Sequence, residues 1–341
     1  MDKGAGNLVI HRISPRAGIE GGKVYVECTG FDTQNFSQSF LYFGDHPTRI
    51  TVATPSYVIA PIPRQAQSGP VRMVVDGETS NPVYFEVGTR LATNLHPVCN
   101  PALDASGNIY VTLSGTRGQK VPVSIYRITP AGVVEPFVSD IINPSGLAFD
   151  RQGDLYVTSR YNGTVYRVSP SGKVTTFCTN LGVATGVAFD QEEHLYVGDR
   201  NGTIYRITRE GICYPFATIE PSVAAFHLAF DQQGYLYVTS PTMCGYDPIY
   251  RLSPDGDVEI FFTDLGRPQG MAFDIEGNLY VVAYYQGQSG IIKISPTQEV
   301  EHVLSGLNLV GLALDGIGNM IVVDTASVYR LPLGIIGRPL P

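Results

Sequence analysis

The chain has 341 residues, 43% of them hydrophobic and 16% charged, with a formal net charge of -8 at pH 7. Its 37 glycines and 24 prolines favour an all-β protein rich in turns. The acidic balance, without any cluster of Lys and Arg, excludes a nucleic-acid-binding surface. No apolar run approaches the roughly 20 residues that a membrane-spanning helix needs.

Five cysteines are widely spaced and form no Cys-x-x-Cys pair. This pattern is typical of small buried thiols in a reducing compartment rather than of metal or redox sites. The polar start, Met1 to Gly6, lacks the pattern of a secretory signal. We therefore expect a cytoplasmic protein, or a secreted one if a signal was removed before the numbered chain. The cysteines are Cys28, Cys99, Cys178, Cys213 and Cys244.

Short alternating runs separated by Gly, Pro and Asn turns fill the first 88 residues. Seven such runs in this length predict a β-sandwich. The strings Ile13-Ser-Pro-Arg-Ala-Gly18, Gly21-Gly-Lys-Val-Tyr-Val26 and Gly30-Phe31 resemble the opening of IPT/TIG domains, which are immunoglobulin-like. The resemblance implies that residues 1–88 form a spacer or interaction module.

From there to the C-terminus one phrase recurs six times, most clearly as Pro144-Ser-Gly-Leu-Ala-Phe-Asp150 followed by Leu155-Tyr-Val157 and Gly163-Thr-Val-Tyr-Arg-Val168. Each copy of about 40 residues contains four short strand patterns, which is typical of a propeller blade. Residues 89–341 are therefore predicted to form a six-bladed β-propeller. The aspartates that end the phrase are Asp104, Asp150, Asp190, Asp231, Asp274 and Asp315.

The ends of this repeat array predict how the ring closes. Thr89-Arg-Leu-Ala-Thr-Asn-Leu95 aligns with Thr175-Thr-Phe-Cys-Thr-Asn-Leu181, a fourth strand, but precedes the first copy. The sixth copy stops after its third strand, at Leu331 to Gly334. Residues 89–93 are thus expected to complete the sixth blade.

The repeats resemble NHL repeats and the gluconolactonase and regucalcin (SMP-30-like) propellers over residues 89–334. That family is recognised by a divalent metal at the channel mouth, held by a Glu in a Glu-Gly-Pro opening and by Asn and Asp of later blades. Here the opening reads Cys99-Asn100-Pro101. The later positions are Ser145, Thr185, Phe226, Gln269 and Val310, none of which is a carboxylate. We predict that the family-type calcium or zinc site is lost and that no cofactor is bound.

Two groups of candidate ligand-binding residues remain. The first surrounds the channel mouth and contains a Cys/His pair that could serve as a nucleophile or bind zinc, or could simply line the channel. The second lies on the loops between second and third strands, where propellers usually carry recognition, although Asn-Gly hairpin turns explain part of it. The mouth group is His96, Cys99, Asn100, Ser145, Thr185, His227 and Gln269. The loop group is Arg160, Tyr161, Arg200, Tyr246, Tyr284 and Tyr285.

These features predict a non-enzymatic recognition scaffold whose propeller loop face binds a protein, peptide or small polar ligand. The alternative is a lactonase or hydrolase of the gluconolactonase type with a rearranged site at the channel mouth. A third hypothesis is an inert structural repeat within a larger assembly.

Overall fold

A computed structural model describes residues 7–338. This part of the chain is all-β apart from one short 3₁₀ helix, Thr33–Gln38, and none of its helices is long and apolar enough to cross a membrane. It divides into two compact units. The first holds residues 7–89, 286–292 and 301–307, and the second holds residues 90–285, 293–300 and 308–338.

Residues 7–88 of the first unit contain ten strands that form two groups of paired strands around one hydrophobic core. One group has the order β1-β3-β7-β6, and the other has the order β2-β10-β8-β4-β5 with β9 beside β8. The strands are β1 Val9–Ser14, β2 Ala17–Gly18, β3 Lys23–Thr29, β4 Phe40–Phe43, β5 His46–Arg49, β6 Val52–Ala53, β7 Tyr57–Pro61, β8 Gly69–Val75, β9 Glu78–Thr79 and β10 Val83–Val87.

Alternation along each strand places every second side chain in the core of this unit. In β3, Val24, Val26 and Cys28 are buried, whereas Glu27, which lies between the last two, is exposed. Their partners across the core include Leu41 and Phe43 of β4. Gly18 also pairs in parallel with Ser305, a residue of the same unit.

The second unit has the architecture of a β-propeller, built from the repeats seen in the sequence. Successive strands of a repeat are antiparallel neighbours, and we call them first to fourth in chain order. β11, Thr89–Ala92, lies beside the last strand of the chain as a fourth strand. Because β11 precedes the first repeat in the chain, the sixth repeat contains strands from both ends of the propeller sequence.

The remaining strands follow in repeat order. They are β12 Ala102–Leu103, β13 Ile109–Thr112, β14 Ile125–Ile128, β15 Val134–Val138, β16 Pro144–Phe149, β17 Leu155–Ser159, β18 Thr164–Val168, β19 Val174–Cys178, β20 Ala184–Phe189, β21 Leu195–Asp199, β22 Thr203–Ile207, β23 Cys213–Thr218, β24 His227–Phe230, β25 Leu236–Thr239, β26 Ile249–Leu252, β27 Val258–Phe262, β28 Met271–Phe273, β29 Leu279–Tyr285, β30 Gln288–Ile294, β31 Val300–Ser305, β32 Leu309–Leu314, β33 Met320–Asp324 and β34 Val328–Leu331.

The recurring aspartates build the turn between the first and second strands of every repeat. In the second repeat, Asp150 Oδ1 accepts hydrogen bonds from the backbone N–H groups of Gln152 at 3.0 Å and Asp154 at 2.8 Å. Gly153 then adopts a positive φ of 82°. The same pair of bonds recurs at the other aspartates, so their role is structural: Asp104, Asp190, Asp231, Asp274 and Asp315.

Aromatic side chains fill the space between neighbouring repeats. The Tyr156 ring packs edge to face against Phe177 at 4.9 Å and against Phe189 of the next repeat at 5.0 Å. Each such pair stabilises the fold by about 0.5–1.5 kcal/mol beyond the area it buries. Tyr110, Tyr196 and Tyr237 repeat this arrangement.

Candidate functional site

The propeller has two ends with different chemistry. Because consecutive strands are antiparallel, the aspartate turns lie at one end, here called the turn end, and the loops between second and third strands lie at the other, the loop end. The two candidate groups from the sequence lie at the ring centre and at the loop end.

Residues 99 and 100 close the channel at the ring centre. Cys99 Sγ lies 3.6 Å from Ser145 Oγ and 3.9 Å from the carbonyl oxygen of Phe226, in the fourth repeat. Asn100 Nδ2 donates to Met271 O at 2.8 Å, and its Oδ1 accepts from Leu312 N at 3.2 Å. These two residues, which we call the plug, therefore connect the first repeat with four others.

The Cys/His pair of the ring centre is not ionised at neutral pH. Burial raises the pKa of the Cys99 thiol to about 11 and lowers the pKa of the His227 imidazole to about 3. An activated cysteine needs a pKa lowered by a basic neighbour or a helix N-terminus. The arrangement is therefore a neutral thiol and a neutral imidazole.

Two other predicted mouth residues hold neighbouring repeats together. Thr185 Oγ1 donates to Gly198 O at 3.1 Å and accepts from Phe226 N at 3.0 Å. Gln269 Nε2 donates to Leu309 O at 3.2 Å. Because the bonds to Phe226 and Leu309 join adjacent repeats, Thr185 and Gln269 serve the packing of the ring.

The ring centre does not fit a hard divalent cation. Its side chains offer a thiol, an imidazole, hydroxyls and amides but no carboxylate, and such a cation prefers several carboxylate oxygens. In residues 7–338, the group of metal-ligating side chains that lie close together is Asp190, Glu192 and His194. It belongs to the third aspartate turn, where His194 Nδ1 lies 3.0 Å from Asp190 Oδ2 and replaces the Asn found in other repeats.

Two arginines lie at the loop end. Arg160 Nη2 donates to Ser114 Oγ at 3.1 Å and to Gly115 O at 3.3 Å. Arg200 Nη2 donates to Val223 O at 2.7 Å. Burial lowers the pKa of the Arg160 guanidinium, the Cys99 thiol opposes this shift, and the positive charge of Arg200 adds to it. Within residues 7–338, neither guanidinium has a carboxylate partner.

The other predicted loop-end residues add exposed aromatic surface to the same end of the propeller. Tyr161 and Tyr284 are about half exposed, and Tyr246 is 76% exposed. Tyr246 and Tyr284 are both bridged through their backbones to Gly266, which makes them neighbours, and Tyr285 follows as a partly buried residue. His96 is exposed, and its Nδ1 is hydrogen-bonded to Ser114 O beside Arg160.

A cavity that the sequence analysis did not predict opens at the turn end. It has a volume of about 1010 Å³ and is lined by all six repeats. His227, Cys99 and Asn100 lie at its closed end, and residues of the aspartate turns form its rim. We call it the turn-end cavity.

The buried neutral His227 should make stability depend on pH. Below about 6.5 the unfolded chain protonates this imidazole while the folded chain does so only near 3, so the unfolded state binds more protons and stability falls as the pH is lowered. Between these two pKa values, each pH unit of acidification lowers the free energy of unfolding by about 1.4 kcal/mol. Urea unfolding at pH 7 and pH 5 should show a smaller loss for His227→Phe than for the parent chain.

His302, a partly buried histidine, provides the internal reference for this experiment. Burial also lowers the pKa of His302, to about 4, and this group stays in both chains. The difference between the two pH profiles therefore isolates His227. Identical slopes in the parent and the variant would contradict a buried neutral imidazole.

No protein-family profile matches this sequence, and no curated protein matches it. Solved structures do. A candidate gluconolactonase is 17% identical and covers 74% of this chain and 93% of its own, with a TM-score of 0.61. Virginiamycin B lyase from Staphylococcus aureus with quinupristin is 16% identical and covers 91% of this chain and 99% of its own, with a TM-score of 0.54.

An auxiliary nutrient binding protein from Bacteroides ovatus ATCC 8483 is 14% identical and covers 96% of this chain and 98% of its own, with a TM-score of 0.54. At these identities the likeness shows the fold alone. The chain therefore contains a β-propeller of the type found in gluconolactonase-like and virginiamycin B lyase proteins.

Proposed function

We propose that this chain is a non-enzymatic recognition scaffold in which the loop end of the propeller binds a protein, peptide or small polar ligand. The observation that carries the proposal is the pair Arg160 and Arg200, which lie partly buried near each other without a carboxylate partner in residues 7–338. An anionic group on the ligand would supply the missing charge.

Partial burial of Arg160 and Arg200 has a cost in solvation free energy. A cation taken from water loses solvation, and a like charge nearby increases that cost. Backbone carbonyls and a hydroxyl satisfy some of the N–H groups of both arginines but neutralise no charge. Carboxylate oxygens would form charge-assisted hydrogen bonds with guanidinium groups and remove the repulsion.

The exposed tyrosines extend this surface. A tyrosine offers a large apolar ring and one hydrogen-bonding hydroxyl at a low entropic cost, which is why tyrosines are enriched in binding sites. Tyr161, Tyr246 and Tyr284 would contact the parts of the ligand that surround its anionic group.

Two further observations support a binding role over a hydrolytic one. The ring centre holds a neutral thiol and a neutral imidazole, and Thr185 and Gln269 are occupied by bonds between repeats. We further propose that the first unit is an immunoglobulin-like sandwich of the IPT/TIG kind that orients the scaffold, and that the repeats are of the NHL kind. Binding is also the role named for the Bacteroides ovatus structure.

Binding of an acidic probe tests the proposal. We expect a fluorescein-labelled tetraglutamate peptide to bind and to raise fluorescence anisotropy. Arg160→Gln and Arg200→Gln should each weaken binding about tenfold, since each removes a charge-assisted hydrogen bond of about 1.5–3 kcal/mol. Lys173→Gln is the matched control, because it removes the same charge from an exposed residue of the turn end.

A different set of results would support the competing enzymatic function. Stoichiometric calcium or zinc in the purified protein, measured by mass spectrometry, together with metal-stimulated turnover of a lactone panel, would establish the gluconolactonase function instead. Equal probe binding by the parent and both arginine variants would overturn the loop-end site.

A further inference from the structure

The walls of the turn-end cavity are mainly apolar. Five alanines, each two positions before a recurring aspartate, line it: Ala102, Ala148, Ala188, Ala272 and Ala313. Larger apolar neighbours on the same strands, such as Leu147 and Phe149, belong to the cores between repeats and also line the cavity. The cavity has a volume of about 1010 Å³, at the upper end of the range for small-molecule sites.

The charged side chains of the cavity come from the aspartate turns and from the C-terminal segment. Asp150 and Asp315 accept from the backbone of their own turns. Arg338 donates to Phe230 O, and Arg151 Nη2 donates to Gln191 O at 2.8 Å. The closed end, formed by Cys99, Asn100 and His227, carries no charged side chain.

The rim also exposes apolar side chains. Ile317 is 84% exposed and Ile275 is 48% exposed, and both line the cavity. Exposed isoleucines beside an apolar cavity extend the surface that an apolar ligand would remove from water.

The closed end carries one polar side chain without a use in the fold. His227 occupies the position that glycine takes in the second, third, fifth and sixth repeats. Its side chain is 2% exposed and lines the cavity, and its ring nitrogens form no hydrogen bond with any residue in the range 7–338. Asn100 beside it already uses its amide on Met271 and Leu312.

The ring nitrogens of His227 face the cavity, so a ligand can supply the hydrogen-bond partner that the fold does not provide. A charged ligand group is disfavoured there because the closed end offers no opposite charge. A neutral hydroxyl can donate to the unprotonated imidazole nitrogen or accept from the protonated one.

We propose that the turn-end cavity binds an apolar molecule that carries one uncharged hydrogen-bonding group, such as a long-chain alcohol, with that group against His227. The apolar body of the molecule would lie along the apolar walls, and its far end would contact Ile275 and Ile317 at the rim. The cavity opens at the turn end, whereas Arg160 and Arg200 lie at the loop end and do not line the cavity.

The probe for this site is N-phenyl-1-naphthylamine, whose fluorescence rises in apolar surroundings. We expect binding by the parent chain and its loss in Ala188→Leu and Ala313→Leu, which fill the cavity. Ala131→Leu is the matched control, since it makes the same change at an exposed turn residue. Arg160→Gln should also bind the probe normally, so that failure at the loop end and failure here are distinguishable.

Competition with the probe tests the role of His227. Dodecanol should displace the probe at about tenfold lower concentration than dodecanoate does, because burying the carboxylate costs about 1.4 kcal/mol or more in desolvation. His227→Phe keeps an aromatic ring but removes the hydrogen bond, and should weaken dodecanol about fivefold.

Two results would overturn the proposal: unchanged probe binding in both folded alanine variants, or unchanged dodecanol competition in His227→Phe. Circular dichroism and thermal melting report whether each variant is folded. If both alanine variants unfold, His227→Phe and His227→Gly decide the question, since glycine is the residue that other repeats hold at this position. Unchanged dodecanol competition in both His227 variants would then contradict the proposed site.

Discussion

Replacing Gly186 by alanine should lower the free energy of unfolding by about 3 kcal/mol. A Cβ atom at this position would overlap the carbonyl oxygen of Phe226 in the next repeat and lie 2.8 Å from Leu228 Cδ1. The backbone cannot move away cheaply, because the strand is held between two neighbouring repeats. Differential scanning calorimetry of the parent and the variant measures the effect.

Gly316→Ala is the matched control for this substitution. Nothing lies within 4 Å of a Cβ there, so the added methyl group should stabilise the chain slightly, by about 0.4–1 kcal/mol, through the unfolded state. Equal effects at both positions would show that the repeats are not packed as closely as the structure places them.

Replacing Asp274 by alanine should destabilise the propeller by a similar amount, about 3 kcal/mol. Its carboxylate is buried and accepts four hydrogen bonds, from the N–H groups of Glu276 and Asn278, from Asn278 Nδ2 and from the Tyr280 hydroxyl. The substitution leaves these donors without an acceptor. The urea midpoint of unfolding reports the loss.

An exposed aspartate in a turn between third and fourth strands gives the comparison. Asp255→Ala removes the same carboxylate from a solvated position, and we expect a change within about 0.5 kcal/mol. If Asp274→Ala were equally mild, the recurring aspartate would need a role other than holding its turn.

The strand content follows from the sequence because the repeats report the same physical constraints six times. An aspartate five residues before the second strand recurs in every copy. A glycine with positive φ follows it in five copies, and a Tyr packs between two Phe rings in four. Where one copy departs, the turn adapts: Glu193 takes the positive φ of 62° that a glycine holds elsewhere.

The candidate site was harder to predict because it depends on distances across the ring. The alignment places Cys99 and His227 in opposite repeats, where direct contact is not expected. In the structure β12 has only two residues, and the chain before it crosses the centre, so that Cys99 reaches Phe226. The turn-end cavity had a signal, the alanine before each Phe-Asp or Leu-Asp pair, but small residues also indicate close packing.

The pairing of β11 with β34 sets the order in which the propeller can be completed during synthesis. Thr93 Oγ1 accepts a hydrogen bond from Ser327 Oγ, 234 residues later. At a synthesis rate of about 5–20 residues per second, β11 therefore waits about 10–50 s for its partner. Contacts between such distant segments make folding slow. A recombinant propeller that began after residue 93 would expose the edge of β34 and should associate with other copies through it.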